Sequence, residues 1–295
     1  MSKTNTAKLS LILASVIFGT LGGFTRFVTM PSTVITMVRG LVGAGFLLLI
    51  MRLQGKKPDL AAIRKQLPLL VLSGLLLSVS MITIIEAYKY LTVAVATMFY
   101  DLSPMFFLAV SPFFFQERLD LRKILCILTA LLGVVLVSNL IETGLPRTME
   151  EAKGALFGLA CATSYAAVIV INKKTTAVAA FDKTVVQLLV LGLMMLPLNL
   201  FTGAFSQVTA TPLSVTMLVV VSVFHTGLAY LLYFGALESL PANTAALLVY
   251  VEPVTAVLMS AFLLHEPMSV LNVLGVVLVL GAAAFNELPL FRRKM

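Results

Sequence analysis

Residues 86–117 read EAYKYLTVAVATMFYDLSPMFFLAVSPFFFQE, and residues 235–266 read GALESLPANTAALLVYVEPVTAVLMSAFLLHE. An offset of 149 residues lays one on the other without a gap, pairing Ala87 with Ala236, Leu91 with Leu240, Ala96 with Ala245, Pro104 with Pro253, Ser111 with Ser260, Phe113 with Phe262 and Glu117 with Glu266. Continued further, it pairs Leu125 with Leu274 and sets Asp120 against Ser269, two residue types that cap helix N-termini. Leu and Ala matches are cheap in apolar segments, so the Pro, Glu and capping positions carry the weight. The pattern predicts an internal duplication.

Outward from these stretches, the 295-residue chain is 60% apolar and 12% charged, whereas a soluble domain carries about 45–50% apolar and roughly 25% charged residues. A soluble globule is excluded. The apolar residues come in blocks of about 18 to 24, the length an α-helix needs to cross ~30 Å of hydrocarbon at ~1.5 Å per residue. A spanning β-barrel would alternate polarity within segments of ~10 residues, and residues 67–81 do not. The reading is an all-α, polytopic membrane protein with ten spans: 8–28, 32–51, 67–89, 92–115, 121–140, 153–172, 183–202, 212–237, 242–264 and 269–286. The first block exceeds a secretory h-region and is expected to remain as a span.

Two copies over ten spans make a unit of five, with repeat one at 1–140 and repeat two at 150–295. An odd number of crossings inserts the second copy upside down, so the repeats are expected to be inverted, the arrangement that supports alternating access. In that topology sixteen Lys and Arg lie on the side of the termini and four (Arg26, Lys89, Arg147, Lys153) on the other, with Arg39 inside a span. The positive-inside rule then places both termini in the cytoplasm of a cell-membrane protein. The net charge of +8 is thus topological, suited to anionic lipid, and no nucleic-acid partner is expected. Gly19/Gly23 and Gly154/Gly158 form GxxxG pairs in corresponding spans one and six. Cys126 and Cys161 lack metal or redox spacing and read as buried thiols.

The series Glu86-Ala-Tyr-Lys-Tyr, Ala96-Thr97, Tyr100, Pro104, Glu117, with its counterpart His225-Thr-Gly-Leu-Ala-Tyr230, Tyr233-Phe234, Glu252-Pro253, Glu266, resembles the EamA family of the drug/metabolite transporter superfamily. The resemblance covers nearly the whole chain. It implies a ten-helix bundle of two inverted five-helix repeats, cytoplasmic termini, a central cavity and transport of small metabolites, often amino acid export. Many members carry Trp-Gly in span one, where this chain has Phe18-Gly19 and no Trp.

Ionisable groups at membrane depth are costly and are functional candidates. Asp101 lies nine residues into span four and Glu252 ten residues into span nine, about 13 and 15 Å deep, where a carboxylate could hold an ammonium group or a proton. The offset aligns Asp101 with Tyr250 and Glu252 with Ser103, and residues two apart on a regular helix point about 200° apart. Either Tyr250 or Glu252 therefore faces the cavity, unless a break before Pro253 turns Glu252 inward. Arg39 and Glu86 have matching depths and are expected to form an ion pair locking spans two and three; the other reading of Arg39 is contact with a substrate carboxylate. Lys89, three residues from Glu86, suits the interface. Ser222, Thr226, Tyr230 and Tyr233 fall on one helical face, with His225 beside them as a candidate for proton coupling together with Asp101. Phe18 and Tyr165, at corresponding positions, can offer π faces to a cation. Glu117 and Glu266 end spans four and nine and are assigned to shaping the turns that follow.

These residues describe a secondary transporter for a small amine-bearing metabolite, an amino acid or organic cation, most simply an exporter, driven by protons or by the substrate's own gradient. The alternative is a membrane sensor or assembly subunit on the same scaffold without flux. The chain contains no GxxxxGK[ST], HExxH or GxSxG pattern, so neither an ATPase nor an enzyme is expected, and no cofactor or metal is implied.

Overall fold

The structure, a computed structural model, describes residues 3–115, 121–137, 148–237, 240, 248–249 and 251–287. The described segments are helical: α1 (Lys3–Thr25), α2 (Ser32–Leu53), α3 (Leu60–Tyr90), α4 (Val93–Tyr100), α5 (Ser103–Phe115), α6 (Leu121–Val137), α7 (Met149–Lys174), α8 (Ala180–Phe201), α9 (Pro212–Val220), α10 (Ala229–Leu237), α11 (Val251–Leu258) and α12 (Val270–Glu287). π-helical turns at Val221–Leu228 and Met259–Leu263 continue α9 into α10 and extend α11. Among the described residues, seven helices are long and apolar enough to cross a membrane: Thr4–Thr25, Ser32–Leu53, Leu60–Tyr90, Val93–Phe115, Met149–Lys174, Ala180–Phe201 and Pro212–Ala236. Three shorter apolar helices, Ile124–Gly133, Val251–Leu263 and Val270–Ala282, accompany them. The surface is apolar, with Phe113, Phe201 and Val270 at 86%, 90% and 77% exposure, whereas Arg39, Gln187, Asn199, Ser222 and His225 are buried. Polar groups inside and apolar groups outside are the distribution expected when hydrocarbon is the solvent. The chain is a multi-pass helical membrane protein.

Several boundaries differ from the sequence expectation for local reasons. The third helix starts at Leu60 rather than near 67, because Asp59 caps it through Ala61 N and Ala62 N at 3.1 and 3.0 Å, so a polar turn precedes the apolar length. The first starts at Lys3 rather than Lys8. At the tenth, Ser269 Oγ accepts from Asn272 N at 3.2 Å while Asn272 Oδ1 accepts from Ser269 N at 2.9 Å, a reciprocal cap. Its counterpart Asp120, with Glu117 and Tyr250, lies outside the described residues.

The fourth segment is not one straight helix: α4 ends at Tyr100 and α5 begins at Ser103, with Asp101 and Leu102 forming the turn between them. Pro104 has no N–H to offer the Tyr100 carbonyl four residues back. The Ser103 hydroxyl donates to that oxygen instead, so the break is satisfied locally.

Helix neighbours come in matched pairs. α2 packs on α8, and α6 on α12. α3 packs on α7 as α1 packs on α10, and α4 on α7 as α11 on α1. Glycines set the closest approaches: a Cβ on Gly19 would stand 2.4 Å from Glu252 O, one on Gly23 2.4 Å from Met259, and ones on Gly154 and Gly158 2.7 and 2.6 Å from Leu91 and Phe99. Both GxxxG faces thus seat a helix of the other half of the chain. Interior amides join helices as well, Gln187 Nε2 donating to Ser73 Oγ at 2.6 Å and to Asn172 Oδ1 at 2.7 Å.

Contacts among helix ends fall into two sets. One joins Arg26, Leu91, Val93 and Glu266, and ties Thr29 N to Ser214 Oγ at 3.0 Å. The other ties Asp59 N to Asp182 Oδ2 at 3.1 Å, Lys183 Nζ to Asn172 O at 2.9 Å, and Arg122 to Phe285 O.

Candidate functional site

The break in span four decides where its carboxyl group goes. Asp101 is the C-cap of α4, its N–H bonded to Thr97 O at 2.9 Å, and its Oδ2 is enclosed with no hydrogen-bond partner. Across the bundle, Glu252 sits in the first turn of α11, within electrostatic reach of Asp101. The two carboxyls therefore share one region, which the arithmetic of two undistorted helices does not allow; the distortion lies at Asp101 and Leu102, while position 250 is outside the described residues.

Tyrosines surround this pair. Tyr88, Tyr100, Tyr165, Tyr230 and Tyr233, from α3, α4, α7 and α10, all lie within electrostatic reach of Glu252. The rings of Tyr100 and Tyr165 stand 5.0 Å apart, and Phe18 meets Tyr230 and Tyr233 edge-on at 5.2 and 6.2 Å. Asp101, Glu252, Tyr100, Tyr165, Tyr230 and Phe18 are half-buried. Electron-rich ring faces around two carboxyl groups form a setting for a cation.

A second polar group flanks it. Arg39, buried in α2, donates through Nε to Thr226 Oγ1 at 3.2 Å. Thr226 lies in the π-helical turn, its hydroxyl bonded to Val221 O five residues back at 3.3 Å. His225 Nε2 is 3.0 Å from Thr20 Oγ1, and its ring is 5.0 Å from Phe24. The π turn shifts the expected stripe: Ser222 bonds to Leu218 O at 2.7 Å, whereas Thr226 and Tyr230 reach Arg39's surroundings.

Two expectations need correction. Arg39 and Glu86 do not form an ion pair: Glu86 pairs with Lys89 one turn on at 2.7 Å, while Arg39 turns toward Thr226. Equal depth on neighbouring helices says nothing about which way each face points. Glu266 does more than shape the following turn. It pairs with Arg26 and accepts from Val93 N at 2.9 Å and from the Ser260 hydroxyl, so the N-terminus it serves is that of α4 rather than of the next helix. The cysteines Cys126 and Cys161 are buried and are not joined in a disulfide. Among the described residues, no three His, Cys, Asp or Glu side chains gather as a metal site would require.

Comparison with known proteins bears on this arrangement. The EamA-like transporter family matches the chain twice, over residues 5–139 and 152–287. The chain belongs to the EamA-like transporter family. This EamA protein is similar to the uncharacterized transporter YxxF of Bacillus subtilis, 24% identical over 98% of this chain and 91% of the relative. It is likewise similar to the uncharacterized inner membrane transporter YicL of Salmonella typhimurium, 24% identical over 99% of each chain. A crystal structure at 18% identity superposes with a TM-score of 0.69 over 96% of both chains, so the fold is shared with a solved protein. An EamA membrane transporter is the frame in which the central residues are to be read.

Proposed function

We propose that this EamA protein is a secondary transporter that exports a small amine-bearing metabolite, an amino acid or an organic cation, by alternating access of two inverted five-helix repeats around a midplane site. The observation that carries the reading is the carboxyl pair Asp101 and Glu252, one from each half of the chain and within electrostatic reach of each other among tyrosines, with Asp101 Oδ2 unpartnered. Two carboxylates in a low-dielectric interior repel, and a cation or proton between them relieves the cost. Asp101 and Glu252 hold the ammonium group; Phe18, Tyr165, Tyr230 and Tyr250 supply ring faces; Thr226 supplies a hydroxyl. Asp101 and His225 exchange protons with the substrate cycle.

The inverted architecture, with repeats at 1–140 and 150–295, is supported by the matched neighbour pairs, by the two-fold family match and by the sorting of helix ends into two sets. Both termini lie in the cytoplasm on the positive-inside argument.

Counterflow of radiolabelled amino acids and of quaternary amines in proteoliposomes tests the reading. Flux of at least one such compound is expected, reduced more than tenfold in Asp101→Asn and in Glu252→Gln with the elution profile of the wild type. An imposed pH gradient is expected to alter accumulation. Absence of flux for every amine, or undiminished flux in both variants, overturns the proposal.

A further inference from the structure

Arg39 carries a positive charge that no side chain in the described bundle answers. It is 5% exposed. The described carboxylates that form ion pairs are Glu266 with Arg26 and Glu86 with Lys89, and neither involves Arg39. Its Nε is taken by Thr226, but its Nη1 is enclosed without a hydrogen-bond partner. One turn earlier on the same face of α2, Thr36 is 1% exposed and its hydroxyl oxygen is also without a partner. Both open onto a narrow cavity lined by Thr36, Arg39, Met81, Leu188, Thr226 and Tyr230, with room for about one water-sized group in this conformation. A guanidinium buried at membrane depth without a counter-ion is expensive, and an orphaned donor beside an orphaned hydroxyl calls for an acceptor.

The cavity is not isolated from the carboxyl pair. Tyr230 forms part of its wall and lies within electrostatic reach of both Arg39 and Glu252, as do Tyr88 and Tyr100. These tyrosines therefore link the surroundings of the Arg39 guanidinium with those of the carboxyl pair. A guanidinium whose Nη1 lacks a partner suits a carboxylate, which accepts charge-assisted hydrogen bonds from it.

We infer that Arg39 and Thr36 form a carboxylate subsite of the transport site, which takes the anionic end of a substrate whose ammonium end meets Asp101 and Glu252. The inference rests on the transport reading above and narrows it to zwitterions, setting aside simple organic cations.

The experiment compares matched compounds on the full-length protein. Free amino acids, their methyl esters and the corresponding decarboxylated amines compete for counterflow in proteoliposomes, and each is scored by thermal shift of the detergent-solubilised protein. Wild type is expected to favour at least one free acid over its ester by about tenfold to a hundredfold, the range of one charge-assisted pair. Arg39→Gln is expected to erase that preference while still binding the ester. Arg39→Lys, which keeps the charge but not the fork, recovers only part. Should Arg39→Gln fail to fold, Thr36→Val carries the test, with a several-fold loss of preference.

Equal affinity of wild type for acid, ester and amine overturns the subsite and leaves amine transport standing. Movement of simple monocarboxylates, lost in Arg39→Gln, with no amine requirement, keeps the subsite and sinks the amine reading. Stabilisation by chloride equal to that by any carboxylate identifies a structural counter-ion and overturns the inference. A lack of response to every compound overturns it too, leaving water as the occupant.

Discussion

Glu266 illustrates what a single residue does when its partners are distant in sequence. Its side chain is 8% exposed and Arg26's is 34%, so the pair is partly shielded, and the same carboxylate receives Val93 N, 173 residues away, and the Ser260 hydroxyl. One carboxylate thereby fastens the ends of α1, α4 and α11. Replacing it with Ala leaves an amide and a guanidinium with weaker partners, a loss of about 1–3 kcal/mol. Glu266→Ala is accordingly expected to melt well below wild type in detergent, with Glu266→Gln between the two because its amide oxygen still accepts from Val93 N. Melting of Glu266→Ala at the wild-type temperature would show that the three helix ends are held by packing alone. The sequence reading found the repeat partner Glu117 and the helix-end position, but helical spacing reports only neighbours within a turn or two. The same limit produced the mistaken Arg39–Glu86 pair: depth along a helix is readable by counting, whereas azimuth depends on packing. By contrast Asp101, Glu252, Tyr230 and Tyr165 were recognisable as candidates because polarity inside an apolar block is visible without coordinates.

Elements depart from ideal geometry where they approach the site. Counting at 3.6 residues per turn forbids Asp101 and Glu252 from facing one space, and the expected remedy was a break before Pro253. A break is described before Pro104, where the proline leaves Tyr100 O to the Ser103 hydroxyl; residue 250, ahead of Pro253, lies outside the described residues. The two prolines are equivalent in the repeat, so the signal for a break is present in both copies. The π turn at Val221–Leu228 was invisible for a related reason: it changes hydrogen-bond register without needing a special residue. Glycine positions were more informative. Gly19 and Gly158 touch the other half of the chain so closely that a Cβ would stand 2.4 and 2.6 Å from Glu252 O and Phe99, whereas Gly45 has nothing within 4 Å. Gly19→Val and Gly158→Val are therefore expected to destabilise by about 1–3 kcal/mol or more through overpacking, and to reduce transport further because α1 and α7 brace the helices bearing Glu252 and Asp101. Gly45→Val is the control, with wild-type melting. If all three variants melt alike, close approach of backbones is not what holds the two halves together.

At the scale of the molecule the decisive question is whether the halves run in opposite directions through the lipid. Hydropathy and charge bias predict it, and the pairing of α3 with α7 and of α1 with α10 shows equivalent helices of the two halves meeting equivalent neighbours. The loops between the second and third helix of each repeat hold the sharpest contrast: Lys56 lies in one and Gln207 in the other, both exposed. In a parallel duplication the two would emerge on the same side; in an inverted one they emerge on opposite sides. Thr176, between α7 and α8, is exposed as well, and inversion puts it with Lys56, in keeping with the Asp59–Asp182 contact of the neighbouring residues. Native Cys126 and Cys161 are buried, which keeps background labelling low. Single substitutions Lys56→Cys, Thr176→Cys and Gln207→Cys, probed in intact cells with a membrane-impermeant maleimide, are expected to label only at Gln207→Cys, with the other two reacting after permeabilisation. Labelling of Lys56→Cys and Gln207→Cys from the same side would make the repeat parallel and remove the basis for exchange of a common site between the two faces. The expected pattern would also fix the direction in which Arg26 and Glu266 close the bundle, placing that latch on the outer face.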